Sequence, residues 1–172
     1  NTLVSDPDRQ HCEHALKSLD HLVVIDIFMT ETARLADVVF PATAWGETDG
    51  VCTNTERRVQ RLRAAVAPPG AARPDWWIVA QIARRLGFAG FEFAAAKDVF
   101  NELCSISPIY AGLDWDRIDK SEYQWPVPEK DHPGTPILHE GEFKNGRGLF
   151  SLVKYRDPAE VVDEDYPVWL TT

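Results

Sequence analysis

The run Leu22-Val23-Val24-Ile25, closed by Asp26, constrains this chain more than any other stretch. It is continuous apolar sequence rich in β-branched residues and without polar alternation, the pattern of a strand buried on both faces, as in a parallel sheet. Helical segments flank it. Ser5-Asp6-Pro7-Asp8 can cap a helix over residues 8–18, with Cys12, Ala15, Leu16 and Leu19 on one face, and a short turn follows the strand over residues 30–35. Ala36-Asp37-Val38-Val39-Phe40 then reads as a second strand, stopped by Pro41. Strands interleaved with helices in this way predict an α/β layer.

Beyond Pro41 the pattern over residues 42–54 is irregular, with Gly46, Gly50 and nearby Glu47, Asp49 and Glu56. Such a loop on an α/β scaffold is where chemistry is expected. Arg57, Arg58, Arg61 and Arg63 follow, and two readings stand: a solvated or ion-paired face, or a docking strip for phosphate or an acidic partner. Pro68, Pro69 and Gly70 make a turn. Pro74-Asp75 opens a helix with an apolar stripe of Trp76, Val79, Ile82, Ala83 and Leu86, closed by Gly87. Another helix is expected over residues 95–105, with Val99, Phe100 and Leu103 inward. From 108 to 148 prolines and glycines interrupt every apolar run, which predicts a long excursion covered by other parts of a larger protein. Residues 148–153 and 166–170 are the last strand candidates, separated by an acidic linker. The organisation read this way is 1–107, then a loop-rich extension over 108–160, then 161–172 as the start of another domain. Asn1 in place of Met, and a terminal apolar run, lead to the expectation of a segment of a longer protein.

Composition narrows the function classes. A net charge of -9 disfavours a nucleic-acid backbone or anionic membrane surface as partner. No apolar run is long enough to span a bilayer, so direct membrane insertion is not expected. Cys12, Cys52 and Cys104 are scattered without a CxxC pair, which fits neither a disulfide framework nor a metal cluster and points to reduced, cytoplasmic thiols. His11, Cys12 and His14 lie close in sequence, but on a helix Cys12 swings away from the two histidines, so no metal site is assigned there. Nucleophile elbow, Walker loop, GxGxxG and HExxH patterns are all absent, and no catalytic residue is assigned.

Physically, the densest stretch, residues 19–63, suits a nucleotide. Ligands of open α/β sheets lie beyond the carboxyl ends of the strands, where Asp26 sits. Its carboxylate can accept from a ribose hydroxyl pair or the N–H edge of a guanine, Thr30 can add a hydroxyl, and amides opening the next turn can face a phosphate. The same two residues can equally do no more than cap that turn.

The stretch HLVVIDIFMTETARLADVVFPATAWGETDGVCTNTERRVQR closely resembles the molybdopterin oxidoreductases that carry bis(molybdopterin guanine dinucleotide), among them the formate dehydrogenase α subunits most of all. The match runs through residues 22–76, ending in PPG-x-A-x-PDW. SPIYAGLDWDRID, Gln124-Trp125-Pro126, HPGTPIL and DEDYPVWLTT look like the same subfamily's run into a β-rich C-terminal domain. The resemblance implies part of a Rossmann-like three-layer domain, with a mostly parallel sheet, that cradles one guanine dinucleotide arm of the molybdenum cofactor. By matching position, cofactor contacts would fall on Ile25, Asp26, Thr30, Thr48 and Asp75. Thr48 departs from the many relatives with Lys or His there: a hydroxyl can still donate, but it lacks the charge. The four-cysteine motif for a 4Fe-4S cluster, the Cys or Sec metal ligand and the adjacent catalytic His and Arg have no counterpart here. They are implied for the parent protein only. The implied partners are the remaining domains of the same subunit and electron-transfer subunits, and the implied reaction is oxidation of formate to CO2, with nitrate reduction or a non-catalytic nucleotide-binding module as alternatives.

Overall fold

Two short helices, α1 (Thr2–Ser5) and α2 (Arg9–Lys17), precede the first strand of the computed structural model, which describes residues 1–158 and 161–169. The expected cap is in place, with the Asp8 carboxylate accepting from the His11 amide at 3.0 Å. Leu3 of α1 is buried against Thr32, whose Oγ1 accepts from the Leu3 amide at 3.1 Å and donates to Asn1 Oδ1 at 2.9 Å. The apolar face expected of α2 is not closed over, and none of its residues is buried.

β1 (Val23–Asp26) and β2 (Val38–Pro41) pair in parallel, from Val23 opposite Val38 to Asp26 opposite Pro41. A single 3-10 turn, Ala33–Leu35, lies in the connection. The parallel pairing matches the strand pattern, but burial on both faces does not follow. Val23 remains 41% and Val38 37% exposed. A sheet of two strands is edge on both sides, and its residues are at most half-buried. The segment before the next helix runs alongside the end of β2: Ala42 bridges Arg73 in parallel, and the Arg73 amide donates to the Pro41 carbonyl at 3.1 Å.

Where an irregular loop is expected, the chain forms an antiparallel hairpin. β3 (Gly50–Thr53) pairs with β4 (Arg58–Leu62), and β5 (Tyr123–Gln124) adds to the other edge of β4. Its turn has no glycine. Arg57 takes the left-handed conformation at φ 66°, and Asn54 Oδ1 accepts from the Arg58 amide at 2.9 Å, an Asx contact that does locally what glycine does sterically.

α3 (Asp75–Arg85), α4 (Ala96–Ile106) and α5 (Trp115–Lys120) complete the first of two units, Asn1–Pro136. Both longer helices close only part of the faces the periodicity indicates: Phe100 is buried and Trp76, Ile82, Ala83 and Val99 are half-buried. α3 buries Ile78 and Ala80 while Val79 and Leu86 stay exposed, and α4 buries Phe100 and Cys104 while Leu103 stays 41% exposed. Val59, Phe100, Cys104, Leu113, Ile118 and Val127 make one core cluster, with Val59 and Val127 fully buried.

The first part of the supposed excursion is therefore core. Residues 108–136 carry α5, β5 and half of that cluster, because the backbone returns to β4 instead of wandering over a surface. Gly112 marks the crossing: its amide donates to the Val127 carbonyl at 2.7 Å, and a Cβ there would lie 2.0 Å from the Glu129 carbonyl oxygen. The described residues fall into two compact units, the first ending at Pro136. In the second unit, Ile137–Thr172, no strand forms at 148–153 or at 166–169. Phe150, Leu152 and Val153 are almost wholly exposed, and an extended run with no neighbouring strand has no ladder to join. Leu170, the end of the last strand candidate, lies outside the described residues. Among the described residues no helix is long and apolar enough to cross a membrane. The fold is thus mixed α/β, with one parallel pair and one antiparallel sheet.

Candidate functional site

At the carboxyl end of β1 the chain turns sharply around Asp26. One carboxylate oxygen accepts from the Phe28 amide at 3.3 Å and the other from the Thr30 hydroxyl at 3.1 Å. Thr30 Oγ1 in turn accepts from the Ala33 amide at 3.3 Å. The Phe28 amide, ahead of the opposing effect of burial and the Thr30 hydroxyl, holds the Asp26 carboxyl below its usual range, because hydrogen bonds to the ionised form favour it. The capping reading of Asp26 and Thr30 is therefore realised. A carboxylate oxygen has more than one lone pair, so this turn leaves acceptor capacity. Ile25 is half-buried, in register with Phe40 of β2. Beyond Asp26 the tip exposes Ile27, Phe28 (73%) and Met29.

Thr48 and Asp75 lie elsewhere, together. They line a cleft of about 490 Å³ whose walls include Trp76 of α3 and Val99, Phe100 and Leu103 of α4. Two features of local sequence make it. Glu47 Oε2 accepts from the Ala44 amide at 2.9 Å, closing the short turn that carries Thr48, and Thr48 Oγ1 donates to the Asp49 carbonyl at 3.1 Å. Pro74 ends the stretch beside β2 and starts α3, whose first turn has Asp75 but no side-chain cap. A carboxylate and a row of first-turn amides thus open the cleft on one side.

The five residues predicted from sequence accordingly form two groups, Ile25, Asp26 and Thr30 at the β1 turn and Thr48 and Asp75 in the cleft. Backbone links connect them laterally, since the Ala42 amide donates to the Asp26 carbonyl at 3.1 Å and Arg73 binds Pro41. The sequence reading placed Trp76 only on the apolar stripe of α3 and not at the cleft, which it also lines. Its indole Nε1 is buried and has no hydrogen-bond partner among the described residues. The tandem Trp76-Trp77 directly after Asp75 was the available signal.

The arginines divide between the two readings in favour of pairing. The Arg61 side chain is only 7% exposed, stacks 3.7 Å over the Trp115 ring, donates to the Gly50 and Leu62 carbonyls, and reaches Asp119 at 3.1 Å. Arg63 reaches the same Asp119 at 2.9 Å. Arg57 donates to the carbonyls of Trp125, Thr135 and Pro136, and Arg58 lies 3.6 Å from both Glu56 and Glu122. They brace the antiparallel sheet, which explains their spacing without a phosphate. Cys104, behind the cleft wall, has its thiol pushed up to about 11 by burial and by nearby Asp114, so it stays protonated and offers no nucleophile.

Residues 1–85 match the profile of the molybdopterin oxidoreductase family. Over its whole length the chain is 51% identical to the F420-dependent formate dehydrogenase subunit alpha of Methanocaldococcus jannaschii, of which it spans 26%. It is 37% identical to the assimilatory nitrate reductase catalytic subunit of Bacillus subtilis, again spanning 26% of that protein. Among solved structures it is similar to acetylene hydratase from Pelobacter acetylenicus, with a TM-score of 0.53 and 26% identity over 69% of this chain and 16% of the other. The chain thus spans about a quarter of the length of these curated relatives.

Proposed function

We propose, from the match of residues 1–85 to the molybdopterin oxidoreductase profile, that this chain is a cofactor-holding part of a molybdenum-dependent formate dehydrogenase α subunit, binding one arm of bis(molybdopterin guanine dinucleotide). The observation that carries the substrate is the 51% identity to a formate dehydrogenase α subunit along the entire chain, against 37% to a nitrate reductase. The residues present fit such a group. A dinucleotide arm offers base N–H donors, ribose hydroxyls and phosphates, and the chain sets against them the acceptors Asp26 and Asp75, the hydroxyls of Thr30 and Thr48, and uncapped first-turn amides in α3. The apolar wall of α4 suits the face of a flat ring.

When bound, the cofactor supplies the redox centre that takes up the two electrons released as HCOO⁻ becomes CO2 and a proton. This chain's own residues bind and orient. Asp26, held ionised by Phe28 and Thr30, accepts from hydroxyl or N–H groups at the β1 turn. The Thr48 hydroxyl, turning from the Asp49 carbonyl, donates to an oxygen where many relatives would present a cation, and Asp75 accepts from the base edge. Catalytic residues, the metal ligand and a 4Fe-4S cluster belong to other domains of the same subunit, and the electrons leave through electron-transfer subunits. Nitrate reduction on the same scaffold is the second reading, favoured by the nitrate reductase likeness.

The test uses the full-length polypeptide. Formate oxidation without nitrate reduction is the expected outcome, with molybdenum and guanine nucleotide both present in the isolated protein. Asp26→Ala is expected to lower molybdenum and nucleotide content while the melting temperature of the cofactor-free protein stays unchanged. Unaltered loading in that variant would return Asp26 to turn capping alone.

A further inference from the structure

The cleft of Thr48 and Asp75 adjoins a second hollow of about 280 Å³, and the two share Thr48, Asp49, Pro74, Trp76 and Ala96. The charged side chains bordering either one are Glu47, Asp49, Asp75 and Lys97, so Lys97 is the single cation there among the described residues. Arg57, Arg58, Arg61 and Arg63 border neither. Two of the acids are already engaged: Glu47 accepts from the Ala44 amide at 2.9 Å, and Asp49 lies 3.5 Å from the Arg61 guanidinium. Lys97 stands where the helix itself gains nothing from it. It is the second residue of α4, and a positive charge in the first turn opposes the helix dipole. Its one ion-pair partner holds it loosely. Nζ lies 3.4 Å from Asp116 Oδ1, with the two side chains 47% and 73% exposed, and such a pair contributes about 0–1 kcal/mol. The ammonium keeps two further protons to donate, on a flexible four-carbon stem in contact with solvent.

We infer that Lys97 is an anion-binding residue of this site, its ammonium swinging from Asp116 to donate to a phosphate oxygen of the nucleotide held in the Thr48 and Asp75 cleft. This rests on the cofactor-holding reading above and adds a charged contact to it. Asp75 is acceptor-only when ionised, so it suits the N–H edge of a base and repels a phosphate. The phosphate therefore belongs toward the hollow that Lys97 borders. Thr48 borders both hollows, which lets its hydroxyl and the Lys97 ammonium donate to one group. A lysine holds a phosphate as a point charge, and a doubly charged diphosphate outcompetes a single, solvated carboxylate for it.

Lys97→Met keeps the stem and removes the charge. In the full-length protein, guanine nucleotide retained per polypeptide would be measured after gel filtration in low urea, at low and at high KCl, by acid release and chromatography. At low KCl, retention in Lys97→Met is expected to fall on the order of tenfold, the lower end for a hydrogen bond to a charged group. High KCl should release nucleotide from wild type and change Lys97→Met less, since the charge that salt screens is gone. Lys97→Arg should restore most of the retention. Asp116→Asn should retain nucleotide at least as well as wild type, because it frees the ammonium from its competitor. Wild-type retention in Lys97→Met overturns the inference. So does a loss in Asp116→Asn equal to that in Lys97→Met, which would make the pair a structural tie. Asp75→Asn separates the two readings. If it depletes nucleotide and Lys97→Met does not, only the Lys97 contact fails; if neither variant depletes it, the cofactor reading of this cleft fails as well.

Discussion

β4 is the central strand of a three-stranded sheet and carries a fully buried Val59, whereas β1 and β2 make a sheet of two strands in which no residue is buried. The antiparallel half closes on itself. α4 and α5 cover it, Arg61 is clasped between Trp115, Asp49 and Asp119, and Arg57 ties the hairpin turn to the carbonyls of Thr135 and Pro136 at 2.9 Å. The parallel half leaves Val23, Val38, Ile27, Phe28 and Met29 open. Yet the Asp26 turn belongs to the open half, and the Thr48 and Asp75 cleft lies where α3 and α4 meet the edge of the closed one. The antiparallel sheet serves as a base, and the groups proposed for binding sit on elements with spare surface and spare hydrogen-bonding capacity, as expected for functional regions drawn from the less stable parts of a fold.

That contrast can be broken by mutation. The largest effect is expected from Ile118→Ala, which empties a 3% exposed core position and should cost about 3 kcal/mol in urea denaturation. Val24→Ala, at a half-buried position of β1, should cost less than about 1 kcal/mol. Equal costs would mean that the parallel half is as tightly closed as the antiparallel one. Next comes Arg61→Ala. It removes a stacked guanidinium and several hydrogen bonds and should cost about 2 kcal/mol, with no recovery in Arg61→Lys, because an ammonium has no planar fork. A cost near zero would demote the brace to surface decoration.

Acid should give the smallest effect. Asp119 is held below its ordinary 3.8 first by the Arg61 hydrogen bond, and Asp26 below the same value first by the Phe28 amide. A carboxylate whose folded pKa is depressed contributes stability that is present above its unfolded pKa and is lost as pH falls through the folded one. Both groups are well solvated, so the loss should be small and weakened by salt. Melting temperature followed downward from pH 5 should therefore fall less steeply in Asp119→Asn than in wild type. Identical slopes would count against the Arg61 and Asp119 contact.

Much of the fold was legible because its signals are local. The β-branched run ending at Asp26, the Asp8 cap, and Pro74-Asp75 as a helix start act within a few residues of themselves, and each is found where the pattern puts it. The 50–62 hairpin was missed because its turn, Asn54 to Arg57, uses an asparagine side chain and a left-handed arginine in place of the glycine that marks such turns. The segment over 108–136 looked like loop because Pro126 and Pro128 and short apolar runs hide single residues, Leu113, Ile118 and Val127, that become core only against β4. The α3 and α4 faces were read only in part because both helices carry apolar residues on more than one side, so periodicity alone cannot fix which residues turn fully inward.

Asp26 with Thr30, Thr48 and Asp75 as candidates for binding came from sequence pattern and resemblance, as did the family whose profile residues 1–85 match. The elements α2, β1, β2, α3 and α4 came the same way, since propensity, capping and apolar runs act between near neighbours. Tertiary structure alone decided that Thr48 and Asp75 share a cleft while Asp26 stands apart at a neighbouring strand end. It also paired Arg61 with Asp119 and left Trp76 with a buried donor. Those contacts join residues far apart in the chain, and their geometry depends on how every intervening element packs, which no local pattern encodes.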